Sequence, residues 1–384
     1  MSDQQPVPAP NRSRARLLRW GLPAGVLAVA LVVPASGRIL SANAAPSLPA
    51  RSPAQLLVDL QTARVDGMSG TVVQHSDLGL PQLPGLGTGG TANSGSSSLT
   101  SLISGTHTMR VWYSGPDKAR MALLGTLGES DVVLSGRDLW IWSSDQKTAQ
   151  HRQLPAETKA APDQPGKHPE LPTTPQAAAD RALAAITPTT KVTTAENATV
   201  AGRPAYELVI APKDTRSLVG EVRVAIDSAT HVPLRFQAFA AGKQAPAFEV
   251  GFTQVSFQRP GDEQFRFTPP PGTKVTESAT GAPQGKAEKA EKAAGPRTGQ
   301  PTVVGTGWTS VVVAKAPSAA PSAAEAPRGT PDVSRILANL PRVSGAWGSG
   351  RLLKSSLFSV LLTDDGRVLA GAVTPELLYA AAAK

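Results

Sequence analysis

From residue 69 to residue 267 apolar and polar positions alternate with period two in a succession of short runs. The spacing predicts strands over 69–75, 106–114, 118–125, 130–135, 137–144 and 147–154, and again over 191–196, 199–213, 220–227, 232–240, 245–258 and 264–267. Short polar turns rich in Gly, Asp and Ser separate these runs, so consecutive strands pair antiparallel as a meander rather than as parallel βαβ units. Ser52-Pro53 followed by Leu56, Leu57, Leu60 and Ala63 is the start and apolar stripe of an amphipathic helix. Thr174-Pro175-Gln176 opens a second helix ending near Ile186. The reading is therefore mainly β (α+β): about eleven strands and two helices between residues 50 and 277.

Two stretches interrupt the pattern. Gly79–Gly105 is Gly/Ser-rich and carries scattered Leu, and Pro155–Thr174 is a Pro-rich link. Residues 278–299 alternate Lys with Glu around Ala and have no apolar period, which marks a solvated spacer. Apolar runs return at 302–315, 355–363 and 367–373, with helical patterns at 331–340 and 374–384 and a hairpin signal at Asp365-Gly366. Residues 300–384 are expected to form a small α+β C-terminal domain.

The N-terminus has a different character. Residues 1–19 are polar, Pro-rich and basic, and Arg12, Arg14, Arg16 and Arg19 precede an uncharged run, Trp20–Gly37. Clustered Arg before an apolar segment keeps that side cytoplasmic and sends the rest across. Residues 20–40, with Leu22, Val26, Leu27, Val29, Leu31 and Val32, are read as a signal anchor in the cytoplasmic membrane, or as a signal peptide cleaved near Ala42-Asn43-Ala44. Residues after about 45 are then expected outside the cytoplasmic membrane, single-pass or secreted.

Composition narrows the function. The formal charge of +9 suggests nucleic acid at first. The first 45 residues hold five Arg against Asp3, however, which leaves +5 for the remaining 339 with no basic block. No nucleic-acid partner is therefore expected. The absence of cysteine excludes disulfides, thiolate metal sites and a cysteine nucleophile. The five histidines form no His-Glu-x-x-His, and neither a Gly-x-Ser-x-Gly elbow nor a Gly-Lys-Ser/Thr phosphate loop occurs. Gly85–Gly90 matches G-x-G-x-x-G, but TANSGSSS follows where a helix is needed, so it reads as loop. Asp364 and Asp365 belong to the turn before Gly366. No catalytic residue, metal or cofactor is expected.

The informative pattern is aromatic and aliphatic. Twelve of the 17 aromatics lie between Trp112 and Phe267. Strand parity groups Met109, Val111 and Tyr113 on one face, and likewise Met121 with Leu123, Val222 with Val224, and Phe248 with Val250 and Phe252. Phe236 shares its face with Leu234 and Ala238. With Leu208, Trp140 and Trp142 these residues are assigned to the lining of an apolar ligand cavity. Two sequence-local helices cannot cover so wide a sheet, and a curved sheet of that width encloses space. Leu99, Leu102 and Ile103 are placed as a lid. A filled interior is the alternative.

The order of elements, ending in FRFTPPPGTKV, resembles the LolA/LolB-type lipoprotein-carrier fold. The stretches VWYSGPDKARMALLG, ESDVVLSGRDLWIWSS and AYELVIAPKDTRSLVGEVRVAID look like its exported actinobacterial branch. GWTSVVVAK together with LFSVLLTDDGRVLAGAVTPELLYAAA is similar to the C-terminal domain of RseB/MucB-type sigma-E regulatory proteins. The resemblance covers about residues 50–277 and 300–384. It implies an unclosed antiparallel β-barrel with a helical plug, an apolar cavity for acyl chains of a lipid or lipoprotein, and binding to the extracytoplasmic part of a membrane anti-sigma factor in envelope-stress signalling. The inserted Gly/Ser loop and the Lys/Glu spacer depart from that pattern. Two alternatives are a lipid or lipoprotein carrier without a regulatory partner and a structural envelope protein with a filled barrel.

Overall fold

The computed structural model describes residues 47–80, 99–126, 128–154, 184, 187–278, 301–315 and 339–384. The N-terminal anchor, the G-x-G-x-x-G match, the spacer and the helices expected at 175–186 and 331–340 lie outside the described residues, apart from Ala184 and the last two positions of the second helix. Among the described residues no helix is long and apolar enough to cross a membrane.

The chain opens with helix α1 (Pro53–Thr62), whose start is fixed as its sequence predicts. Ser52 accepts from the Gln55 N–H while the Gln55 side chain accepts from the Ser52 N–H, with Pro53 in the first turn. Thirteen strands then build one sheet. They are β1 (Met68–Ser76), β2 (Gly105–Tyr113), β3 (Lys118–Leu124), β4 (Glu129–Ser135), β5 (Asp138–Ser143), β6 (Thr148–Gln153), β7 (Thr190–Thr194), β8 (Ala198–Val200), β9 (Arg203–Pro212), β10 (Val219–Asp227), β11 (Pro233–Ala240), β12 (Pro246–Ser256) and β13 (Lys274–Ser278). Their order is β13-β6-β5-β4-β3-β2-β1-β12-β11-β10-β9-β7, with β8 also on β9. Two meanders are thus joined where β1 pairs with β12, and the sheet stays open between β13 and β7. This is an unclosed β-barrel.

The structure corrects three expectations. Residues 264–267 do not form a strand: Asp262–Phe265 is a 3-10 turn that buries Phe265. The prolines at 269–271 then offer no N–H for pairing. The last strand is instead β13, which runs parallel to β6. Residues 199–213 are not one strand, because Ala201 and Gly202 take positive φ (51° and 75°) and close a two-residue hairpin between β8 and β9.

The remaining strands form a six-stranded sheet ordered β14-β15-β19-β18-β17-β16. They are β14 (Thr302–Val304), β15 (Val311–Lys315), β16 (Arg342–Gly345), β17 (Gly348–Lys354), β18 (Ser359–Thr363) and β19 (Arg367–Gly371). Helix α2 (Pro375–Ala382) packs Leu378, Ala381 and Ala382 on Val311, Leu361 and Leu369. This small sheet meets the large one through a Ser217–Val373 bridge and the Leu218 N–H bonded to the Ala372 carbonyl (2.9 Å). A third tie runs from Trp308 Nε1 to Thr190 Oγ1 (2.9 Å).

Candidate functional site: the helix-covered face of the large sheet

Cross-strand register decides which side chains share a face. Met109 opposes Val72 and Leu123, Val111 opposes Met121, and Met121 opposes Val132. In the other direction Val72 opposes Phe252, Gln74 opposes Val250, Val250 opposes Phe236, Phe236 opposes Val224, and Val224 opposes Leu208. Side chains directly opposite each other stand on the same side of a sheet. One face therefore carries Met109, Val111, Tyr113, Met121, Leu123, Leu208, Val222, Val224, Phe236, Phe248, Val250 and Phe252. Helix α1 lies on this face, with Leu56 fully buried among Tyr206, Leu208 and Ile226.

Burial along the face is uneven. Val72, Met109, Leu123, Val250 and Phe252 are sealed in the main apolar cluster. On either side of them Tyr113, Val132, Ile141, Val222, Val224 and Phe248 are only half-buried. Phe236 is 37% exposed, its ring edge-on to Phe248 at 6.2 Å. Gly70, beside a bulge in β1, lets Phe252 lie flat on the strand, since a Cβ there would strike its ring and the Gln254 carbonyl.

Trp140 and Trp142 are placed on the opposite face. Trp140 opposes Val133 and Trp142 opposes Asp131, in the rows of Arg120 with Trp112 and of Ala122 with Arg110. Their sequence assignment followed ring size, whereas the alternation follows from Ile141 between them, which opposes Val132. On that face Phe267 sits against both Trp rings (5.3 and 6.0 Å). Arg110 and Arg120 lie over Trp112 (5.2 and 5.3 Å). Arg120 also bonds Asp131 (2.9 Å) and approaches Glu129 (3.5 Å). Burial, with the nearby Asp131 charge, pushes the Glu129 carboxyl up to about 6. His151 stacks on Trp140 (4.2 Å) and bonds Glu277 (2.7 Å) and Asp138 (3.0 Å), carboxylates that raise its pKa against the opposing effect of burial.

The three residues placed as a lid form a 3-10 turn, Leu99–Ile103. Leu99 and Leu102 pack on the main cluster, and Ile103 is 37% exposed. Side chains of β1 and β2, which sequence reasoning missed, pin this turn to the sheet. Gln74 Nε2 donates to the Leu102 carbonyl (2.8 Å) and Ser76 Oγ to that of Ile103 (2.8 Å). The His107 ring bonds the carbonyls of Ser101 (2.8 Å) and Ser104 (3.0 Å), so Nε2 carries the proton. The available signal was their parity: Gln74, Ser76 and His107 are polar residues on the apolar side of their strands.

Among the described residues no three His, Asp or Glu side chains converge as a metal site. The fold and this face define an open, mainly antiparallel β-sheet with one apolar side that, among the described residues, helix α1 covers in part while Val222, Val224, Phe236 and Phe248 are left half-buried or exposed. No family model and no curated protein matches the sequence. Solved structures similar to it include the MucA/MucB complex of Pseudomonas aeruginosa, at 16% identity over 86% of this chain and 96% of that one, with a TM-score of 0.41. An uncharacterized conserved protein of Thermus thermophilus is 11% identical over 58% of this chain and 97% of its own, with a TM-score of 0.33. A LolA superfamily protein of Nitrosomonas europaea is 11% identical over 57% and 99%, with a TM-score of 0.21.

Proposed function

We propose that this chain is an exported, non-enzymatic binding protein that holds an acyl chain of a lipid or lipoprotein against the helix-covered face of its large sheet. The observation that carries this reading is Phe236. It stands mid-strand on the apolar side of a wide sheet yet is 37% exposed, with Val222, Val224 and Phe248 half-buried around it. A filled interior would seal such a ring, because burying a phenylalanine is worth about 2–3 kcal/mol. An uncovered apolar strip beside a plug helix suits a flexible hydrocarbon chain.

The Arg-flanked apolar N-terminus supports export and attachment to the cytoplasmic membrane. The sequence resemblance of residues 300–384 supports a protein partner, namely the extracytoplasmic part of a membrane anti-sigma factor, and hence a role in envelope-stress signalling. Native mass spectrometry of the full chain, before and after addition of a sixteen-carbon fatty acid, tests the ligand. One acyl chain per protein is expected, and a chain that neither carries lipid nor takes it up would overturn the reading. Pull-down of that anti-sigma segment by the full chain tests the partner, and no retention would leave a carrier without a regulatory role.

A further inference from the structure

Among the described residues, one buried side-chain oxygen on the helix-covered face has no hydrogen-bond partner. Gln74 is 1% exposed, between Val72 and Ser76 on β1 and opposite His107 and Val250. Its amide orientation is fixed, because the Leu102 carbonyl can only accept and therefore faces Nε2 (2.8 Å). Oε1 is turned away from that carbonyl and has no hydrogen-bond partner among the described residues. The neighbouring side-chain donors are committed elsewhere: Ser76 Oγ to Ile103, and His107 Nε2 to Ser101 and Ser104. A buried acceptor without a donor is costly, and a ligand that brings a donor removes the cost.

Resting on the acyl-binding reading, we propose that Gln74 Oε1 is the specificity-determining acceptor of this site. It selects acyl chains whose linkage carries an N–H, that is acyl amides, over acyl esters and free carboxylates, which present only acceptors at pH 7. The hydrocarbon lies along the half-buried strip of Val224, Phe236 and Phe248, and the amide sits at the Gln74 end. Seating it there requires the 99–103 turn to give way locally, at the point where Ile103 is already exposed. A site built to accept a hydrogen bond rejects the analogue that lacks the donor, because its buried acceptor then stays unpaired.

N-methylhexadecanamide and methyl hexadecanoate are isosteric and differ only in N–H against O at the linkage. Competition of each against a fluorescent fatty acid on the full chain should show the amide binding about tenfold more tightly. In Q74M, which keeps the volume but removes both Oε1 and the Nε2 donor to the Leu102 carbonyl, the tenfold preference for the amide should fall. Equal affinities in wild type overturn the proposal, and that arm stands even if Q74M does not fold. Retained discrimination in a folded Q74M overturns it as well. Failure of both probes to bind overturns the acyl-binding reading itself and the selectivity with it. An N-palmitoylated dipeptide and an N-palmitoylated ethanolamine, compared in the same assay, then distinguish a peptide from a lipid as the source of the amide.

Discussion

Truncating Phe236 to alanine separates an uncovered ligand face from a filled core, because the two differ in what the ring does before any ligand arrives. Complete burial of a phenylalanine side chain is worth about 2.5 kcal/mol. At 37% exposure, folding has already taken roughly two-thirds of that, and ~0.9 kcal/mol of transfer energy is left for a ligand to take. The ring rests on Phe248 with its outer part in water, so its removal leaves little enclosed void. F236A should therefore lower stability by about 1.5–2 kcal/mol, short of the roughly 3–5 kcal/mol of a sealed phenylalanine. It should also raise the Kd for an acyl probe about fivefold. Urea unfolding gives the first number, and titration with a fluorescent fatty acid gives the second. A stability loss above about 3 kcal/mol with unchanged probe affinity would mean that the ring is structural and the reasoning wrong.

F252W should cost about 1–3 kcal/mol by overpacking, since Phe252 is 4% exposed and lies flat on Gly70, whereas F236W should be close to neutral in urea denaturation. Asp227 is fully buried; burial raises its carboxyl, but Arg203 (2.6 and 2.8 Å) and the Thr230 N–H and hydroxyl together hold it below the usual range. Its contribution is complete above about pH 4 and fades as pH falls through the lowered value, so D227N should cost about 2–3 kcal/mol at pH 7 and flatten that acid limb in thermal melts. His151, raised by Asp138 and Glu277, acts in the opposite sense. Its hold on β13 is complete below about pH 6.5 and is lost as pH rises through the raised value, so the protection of β13 amides relative to their intrinsic, base-catalysed exchange should be lower at pH 8.5 than at pH 5.5, and H151Q should abolish that difference in protection.

Period-two alternation made most of the large sheet legible. In β9 to β12 the runs Tyr206-Leu208-Ile210, Val222-Val224-Ile226, Leu234-Phe236-Ala238 and Phe248-Val250-Phe252 alternate with the residues between them, and Leu208, Val224, Phe236 and Val250 share a face as parity predicts. Parity alone does not say which set faces the helix, and Trp140 and Trp142 show the consequence. Their size suggested the ligand side, but the register of Ile141 with Val132 turns them to the cation-bearing face. The strand β13 was missed because its residues, Lys-Val-Thr-Glu-Ser, carry no apolar alternation. It is held by the β6 backbone and by the His151–Glu277 pair, which are 126 residues apart. Strands β16 and β17 were missed for a similar reason, since Gly345, Gly348 and Gly350 break the pattern. A Cβ at Gly350 would strike the Leu362 carbonyl, so that position is glycine for close approach rather than for a turn. The polar anchoring of the 99–103 turn by Gln74, Ser76 and His107 depends on contacts across 3 to 28 residues that alternation does not encode.

The central claim is that an acyl chain occupies the helix-covered face of the large sheet. Photo-crosslinking of the full chain with a fatty acid bearing a mid-chain diazirine, followed by peptide mapping, tests it most directly. Crosslinks confined to β1–β3 and β10–β12, competed by unlabelled fatty acid and diminished in F236A, are the predicted result. Crosslinks on the small sheet or on the Trp112–Trp140–Trp142 face, or none that unlabelled fatty acid competes away, would contradict it.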